Sequence, residues 1–160
     1  MGLDMYLYRQ RANAESIEDV LNDDRFDIAK DGWFEEWKLV HDDLQVAYWR
    51  KANAIHAWFV HNFQDDVDEC QYSKPISREA LAGLVERCKR ILAGDPANPF
   101  DNGAIDPKIA GELLPTQGGF FFGTYEYGEW YREGLRETIE QLEPVIAERN
   151  DDVFVYNSSW

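Results

Sequence analysis

Cysteine is scarce in this chain, and the two that it has, Cys70 and Cys88, lack the spacing of a metal-binding or redox pair. The start of the chain lacks the basic and apolar regions of a secretory signal. We therefore expect a cytoplasmic protein with reduced thiols. The sequence also lacks any apolar run near the roughly 18 residues that a membrane span needs, so we expect no membrane partner.

Basic residues are outnumbered, because 16 Lys and Arg accompany 31 Asp and Glu and give a formal net charge of -15. Such a charge opposes contact with nucleic-acid backbones and anionic membranes, so direct nucleic-acid binding is not expected. Three interpretations remain open. The acidity keeps the protein soluble, or it meets a protein partner with a basic surface, or it reflects adaptation to high salt.

Motifs for metal or phosphate chemistry are missing as well. The acidic stretch Asp65–Glu69 lacks the spacing of a calcium loop and is typical of a solvated turn. Gly118 and Gly119 precede an apolar segment instead of opening a helix, which indicates a tight turn. His56 and His61 would point about 140° apart on a helix and cannot share an ion without ligands from elsewhere, such as Cys70. We expect no metal and no cofactor.

What the chain does contain is enough apolar material for one core. Hydrophobic residues make up 44% and aromatic residues 14% of the 160 positions, which suits a folded chain of this length. There are no repeats and no low-complexity segments. We expect a single domain over residues 1–160, with a surface loop rich in Pro and Gly at 94–107.

One aromatic stretch, Tyr48–Gln64, predicts the helix around which the rest of the chain is arranged. Its sequence, YWRKANAIHAWFVHNFQ, has no Gly or Pro. At 3.6 residues per turn an apolar stripe forms along one side, while Arg50 lies on the far side. The residues of that stripe are Tyr48, Trp49, Ala52, Ile55, His56, Phe59, Val60 and Phe63.

Alternation with a period of two predicts strands at both ends of the chain, at Gly2–Arg9 and Val153–Tyr156. We expect these terminal strands to pair. Less regular patterns predict extended segments or short strands at Trp33–Val40, Cys70–Ile76 and Phe120–Phe122.

Helical periodicity is clearest at Arg78–Ala93, where Ser77 is a suitable N-cap and Gly94 a stop. A third long helix is predicted at Tyr127–Asn150, kinked or split by Pro144, and one or two helical turns at Lys108–Leu114. These elements predict an α+β fold, with a small, mainly antiparallel sheet and about three packed helices.

Candidate site residues lie on and near the central helix. We predict a pocket around Arg50, Asn53 and His56, with Thr116 and Gln117 as contributors from the predicted turn at residues 115–119. Two interpretations of His56 stay open: a core histidine bonded to a backbone carbonyl or a buried carboxylate, or a pocket histidine that titrates near neutral pH. Arg50 likewise suits an anionic ligand or a carboxylate of the chain itself.

Aromatic residues cluster again before and within the third helix. These rings form either an interaction surface, where aromatic residues are enriched, or part of the core. The residues are Tyr125, Tyr127, Trp130 and Tyr131.

Four segments together resemble a family of small, uncharacterised proteins from phage and prophage genomes. They are MGLDMYL at the start, YWRKANAIHAWFVHN in the middle, LLPTQGGFFFG followed by Tyr125–Tyr127, and NSSW at the end. The resemblance implies a mobile-element setting, in which small acidic proteins often bind and block host machinery. It implies no particular activity.

Two hypotheses of function follow. The first is a non-enzymatic binding protein that engages a host protein, such as a component of a host defence or nucleic-acid-handling system, through a basic surface on that partner. The second is a small-molecule-binding protein or enzyme whose pocket around Arg50, Asn53 and His56 takes a small anionic ligand. A deep polar pocket that holds His56 would favour the second.

Overall fold

The structure, a computed structural model, describes residues 2–10, 45–94, 104–119 and 122–160. These residues form an α+β fold, as the sequence predicts. The described elements are β1 (Asp4–Gln10), β2 (Gln45–Arg50), α1 (Asn53–Phe63), α2 (Arg78–Leu92), α3 (Pro107–Leu113), α4 (Glu129–Ala147) and β3 (Val153–Ser159). Within the described ranges, no helix is long and apolar enough to cross a membrane.

The sheet has the strand order β2-β1-β3, and both pairs are antiparallel. The pairing of the terminal strands is therefore confirmed, with Leu7 opposite Tyr156. Period-two alternation sends Met5, Leu7, Phe154 and Tyr156 inward, and all four are fully buried. The last strand is longer than predicted, because it continues to Ser159.

The predicted helix Tyr48–Gln64 is wrong over its first turn. Tyr48, Trp49 and Arg50 belong to β2, where Trp49 lies opposite Met5 of β1. Aromatic residues suit a pleated, half-buried strand at least as well as a helix, and pairing with β1 decides the outcome. The chain turns at Lys51, whose φ is 57°, and α1 then begins at Asn53.

The remaining helices follow the predicted pattern closely. The Ser77 hydroxyl accepts a hydrogen bond from the Ala80 amide at 3.1 Å and caps α2. Helix α4 continues through Pro144 to Ala147, so the chain is not split there. Counting α3, which was expected as one or two turns, the described chain has four helices where about three were expected.

One predicted short strand is corrected. Between Cys70 and Ile76 only a single-residue bridge forms, in which Ile76 bonds Phe154 on the outer edge of β3. Of the predicted strand Phe120–Phe122 the structure describes only Phe122, and that residue is not in a strand. The predictions for Trp33–Val40, for Phe120 and Phe121 and for most of the 94–107 loop lie outside the described residues.

Helix α4 lies along the outer edge of β2, and this contact positions the site described below. The Gln141 side chain accepts from the Tyr48 amide at 2.8 Å and donates to the Tyr48 carbonyl at 2.9 Å. The Trp49 indole N–H donates to the Thr138 hydroxyl at 2.9 Å. Both interactions satisfy polar groups that would otherwise be left unpaired at the edge of the sheet or in the core.

Candidate functional site

A cleft of about 980 Å³ lies between β2, the corner that precedes α1, and α4. Its volume is at the upper end of the range that ligand pockets occupy. Charged and aromatic side chains line it together. One wall carries Arg50 and Lys51, and the α4 wall carries Glu133, Glu137 and Glu140.

The cationic wall is only loosely tied to the rest of the protein. The Arg50 side chain is 59% exposed, and its Nε lies 3.9 Å from the Asp4 carboxylate. Asp4 also accepts a hydrogen bond from the Tyr48 hydroxyl. That bond, with burial, raises the pKa of Tyr48 to about 12, so the tyrosine stays neutral. An exposed pair at this distance contributes little to stability, so Arg50 is available to a ligand.

The anionic wall follows one face of α4, because Glu133, Glu137 and Glu140 are spaced four and three residues apart. Glu133 forms an ion pair with Arg136 at 2.8 Å. Burial raises the pKa of Glu137, and the neighbouring Glu133 and Glu140 add to the shift. This wall therefore holds negative charge that α4 only partly compensates.

Asn53 closes a loop onto the first turn of α1. It is 5% exposed, and its Nδ2 donates to the carbonyls of Phe122 and Thr124 at 3.2 and 2.9 Å. Its Oδ1 accepts from the Gln117 amide at 3.2 Å, and Thr116 donates to the Tyr125 carbonyl at 3.1 Å. The structure brings Gln117 into contact with Asn53, and these bonds together with that of Thr116 hold the loop. The part of these residues in binding a ligand stays a prediction.

His56 is fully buried, and both of its ring nitrogens have partners. Nε2 lies 2.9 Å from the Asp68 carboxylate, and Nδ1 lies 2.7 Å from the Tyr156 hydroxyl. Because a carboxylate only accepts, we assign the proton to Nε2, so that Tyr156 donates to Nδ1. Burial lowers the pKa of His56 below its ordinary value of 6.5, and Asp68 opposes that shift only in part.

The interpretation of His56 as a core histidine bonded to a carboxylate matches this geometry. Asp68 in turn accepts a hydrogen bond from the indole N–H of Trp160 at 3.0 Å. Phe122 packs edge-on against the imidazole, with 5.1 Å between the ring centroids. The histidine therefore joins α1, the loop after it and the end of the chain.

Of the five predicted site residues, Arg50, Asn53 and Thr116 line the cleft. In the part of the chain that the structure describes, His56 and Gln117 are not among the lining residues. Lys51 and the glutamates of α4 were missed as site residues. The spacing of those glutamates on the face opposite the apolar stripe is a signal, but it is equally typical of any solvated helix.

The aromatic cluster divides between the two interpretations. Trp130 is 82% and Tyr125 is 62% exposed, as expected of a surface, whereas Tyr131 is buried in the core. Trp130 also lines the cleft. A large exposed indole beside a concave site is typical of an interaction surface.

Comparisons with protein-family models, with curated proteins and with solved structures found no match to this chain. The resemblance to phage and prophage proteins therefore stays a prediction. Within residues 2–10, 45–94, 104–119 and 122–160, no group of three or more His, Cys, Asp or Glu side chains is placed to hold a metal ion.

Proposed function

We propose that this protein is a non-enzymatic binding protein that engages a host protein through the cleft between β2 and α4. The observation that carries the proposal is Trp130, which is 82% exposed at a cleft of about 980 Å³. Tryptophan is the residue type most often found to dominate binding at interfaces. The exposed indole is an apolar anchor at the cleft that a partner would bury.

The position of His56 supports binding over catalysis. A histidine that acts as a general base must reach a proton on a substrate. Here both ring nitrogens bond to Asp68 and Tyr156, and the side chain has no exposed surface. Arg50, Lys51 and the glutamates of α4 suit the recognition of charged groups.

We choose a host protein as the partner because of the net negative charge of the chain and its resemblance to phage and prophage proteins. A net charge of -15 speeds encounters with a basic surface and disfavours nucleic acid. The resemblance to phage and prophage proteins places such an encounter inside a host cell, where inhibition of a defence or nucleic-acid-handling system is the expected outcome. We place the protein in the cytoplasm on the same grounds.

One observation favours a small anionic ligand as the alternative occupant. Arg50 and Lys51 are adjacent cations in a cleft that also contains the polar side chains Thr116 and Thr124. An arginine that is mostly exposed and loosely paired suits a carboxylate or phosphate group. The experiment below separates the two occupants by the size of what is captured.

The test compares immobilised wild-type protein with Trp130→Ala and with a matched control, Tyr125→Ala, in host lysate. Tyr125 is also an exposed aromatic residue, and in the described chain it is not among the residues that line the cleft. Captured proteins and small molecules are quantified by mass spectrometry, and thermal melts confirm that all three forms are folded.

We expect a host protein that wild type and Tyr125→Ala capture equally and that Trp130→Ala loses. Equal capture by all three forms would contradict the use of this cleft. Capture of a small anionic molecule in place of a protein would favour the alternative ligand.

A further inference from the structure

The two walls of the cleft carry opposite charges that do not pair with each other. In the described residues, no nitrogen of Arg50 or Lys51 lies within 4.0 Å of a carboxylate oxygen on α4. Glu137 and Glu140 form no ion pair with any described residue at that distance either. Groups of opposite sign that line one cleft without pairing to each other favour an occupant that carries both signs.

Lys51 reaches the cleft from a strained backbone position. Its φ of 57° lies in the left-handed region, which costs an ordinary residue about 1–2 kcal/mol. The surroundings impose this turn, because the Lys51 amide donates to the Leu3 carbonyl at 2.8 Å. A Cβ on Gly123 would lie 3.3 Å from the Lys51 carbonyl oxygen. Glycine would adopt this φ without a steric penalty, so Lys51 holds its cation at the cleft at a cost in stability.

The α4 wall favours a cation for a separate reason. Glu137 is partly desolvated between Glu133 and Glu140, and the pKa of Glu137 is raised as a result. A positive group placed among these carboxylates would relieve the repulsion between them. Trp130 lines the same cleft, and its ring offers a face to a Lys or Arg side chain.

We propose that the cleft recognises a dipolar peptide segment, with a basic side chain against Glu137 and Glu140 and a carboxylate against Arg50 and Lys51. This inference rests on the proposed function, because it names the chemistry of the partner that enters the same cleft. Charge complementarity selects a peptide that carries both signs over one that carries either alone. Contacts between charged groups of this kind are the strongest hydrogen bonds available to such a site.

The test uses a library of short random peptides, selected in parallel on wild-type protein, Lys51→Gly, Glu137→Gln/Glu140→Gln and Tyr125→Ala. We expect wild type and the Tyr125→Ala control to enrich peptides with a basic and an acidic residue at a fixed separation. Lys51→Gly should lose the preference for the acidic residue, and the double glutamine variant should lose the preference for the basic one. The best wild-type peptide should bind each cleft variant about tenfold or more weakly.

Two outcomes distinguish failure of this inference from failure of the proposed function. Peptides enriched for basic residues alone, bound equally by Lys51→Gly, would overturn the dipolar segment and leave a cleft that binds a basic partner. No enrichment on wild type, or enriched peptides that Trp130→Ala binds as well as wild type, would overturn both.

Discussion

The Nε2 atom of His56 lies 2.9 Å from a carboxylate oxygen of Asp68, in a position where the imidazole has no exposed surface. The Tyr156 hydroxyl satisfies the other ring nitrogen. A histidine held in this way is part of the framework, because removing it leaves two polar partners without their bonds.

We therefore predict that His56→Gln lowers the free energy of unfolding by about 1–3 kcal/mol, the cost of unsatisfied buried polar groups. Urea denaturation followed by circular dichroism measures the change. His61→Gln is the matched control, because the His61 side chain is 72% exposed and, among the described residues, pairs only with the exposed Asp66. It should change stability by less than about 0.5 kcal/mol. Equal losses in both variants would mean that the His56 bonds contribute nothing specific.

The same histidine predicts a pH dependence. The pKa of His56 is lower in the folded protein than its ordinary value of 6.5, so the unfolded chain binds the proton more readily. The stability that the neutral ring contributes is fully present above pH 6.5 and is lost as the pH falls through the folded pKa. Thermal melts of wild type should show this loss, and His61→Gln should retain it.

His56→Gln should remove this loss between pH 6.5 and 4.5. A second loss of stability begins only below pH 4.5, which is the ordinary pKa of Glu148. In the folded protein the Arg9 guanidinium lowers that pKa to about 2. Glu137 acts in the opposite direction, since its pKa is raised and protonation relieves repulsion. Parallel profiles of melting temperature against pH for wild type and His56→Gln, with or without Glu137→Gln, would show that His56 is not the source of this pH dependence.

Deletion of residues 153–160 should unfold the protein or make it insoluble. Strand β3 pairs with β1 along its length, and Phe154 and Tyr156 are fully buried. Removal of Trp160 alone is the control, because it takes away the bond to Asp68 and an edge contact with Phe122 and leaves the strand pairing of β3 in place. That change should cost about 1–2 kcal/mol. A soluble 1–152 form with an unchanged melting temperature would contradict the central place of β3.

Lys51→Gly should raise the free energy of unfolding by up to about 1 kcal/mol, because glycine adopts a φ of 57° without a steric penalty. Lys51→Ala keeps the Cβ and therefore the strain, so it should change stability little. Denaturation of both variants, compared with wild type, measures the difference. Should the two substitutions have the same effect, the backbone at Lys51 is not strained.

Local pattern alone was enough to predict much of this fold. Period-two alternation at each end predicts β1 and β3, because a sheet with one buried face requires it. Ser77, the apolar spacing after it and Gly94 similarly predict α2, since caps and periodicity act within a few residues. Asn53 and Gln117 were expected only as parts of one pocket, and the bond from the Gln117 amide to the Asn53 Oδ1 was not predicted.

Tertiary contacts decided the rest. The boundary between β2 and α1 depends on the pairing of Trp49 with Met5 of β1. The aromatic stretch alone does not distinguish a strand from a helix at these positions. The choice between the two interpretations of His56 depended on Tyr156, which is 100 residues away along the chain. The cleft likewise exists only because α4 docks along β2, which brings the glutamates of α4 into the same cleft as Arg50 and Lys51. The sequence by itself determined which segments could form elements, and long-range packing determined which of their side chains meet, because contacts between distant residues leave no local periodicity.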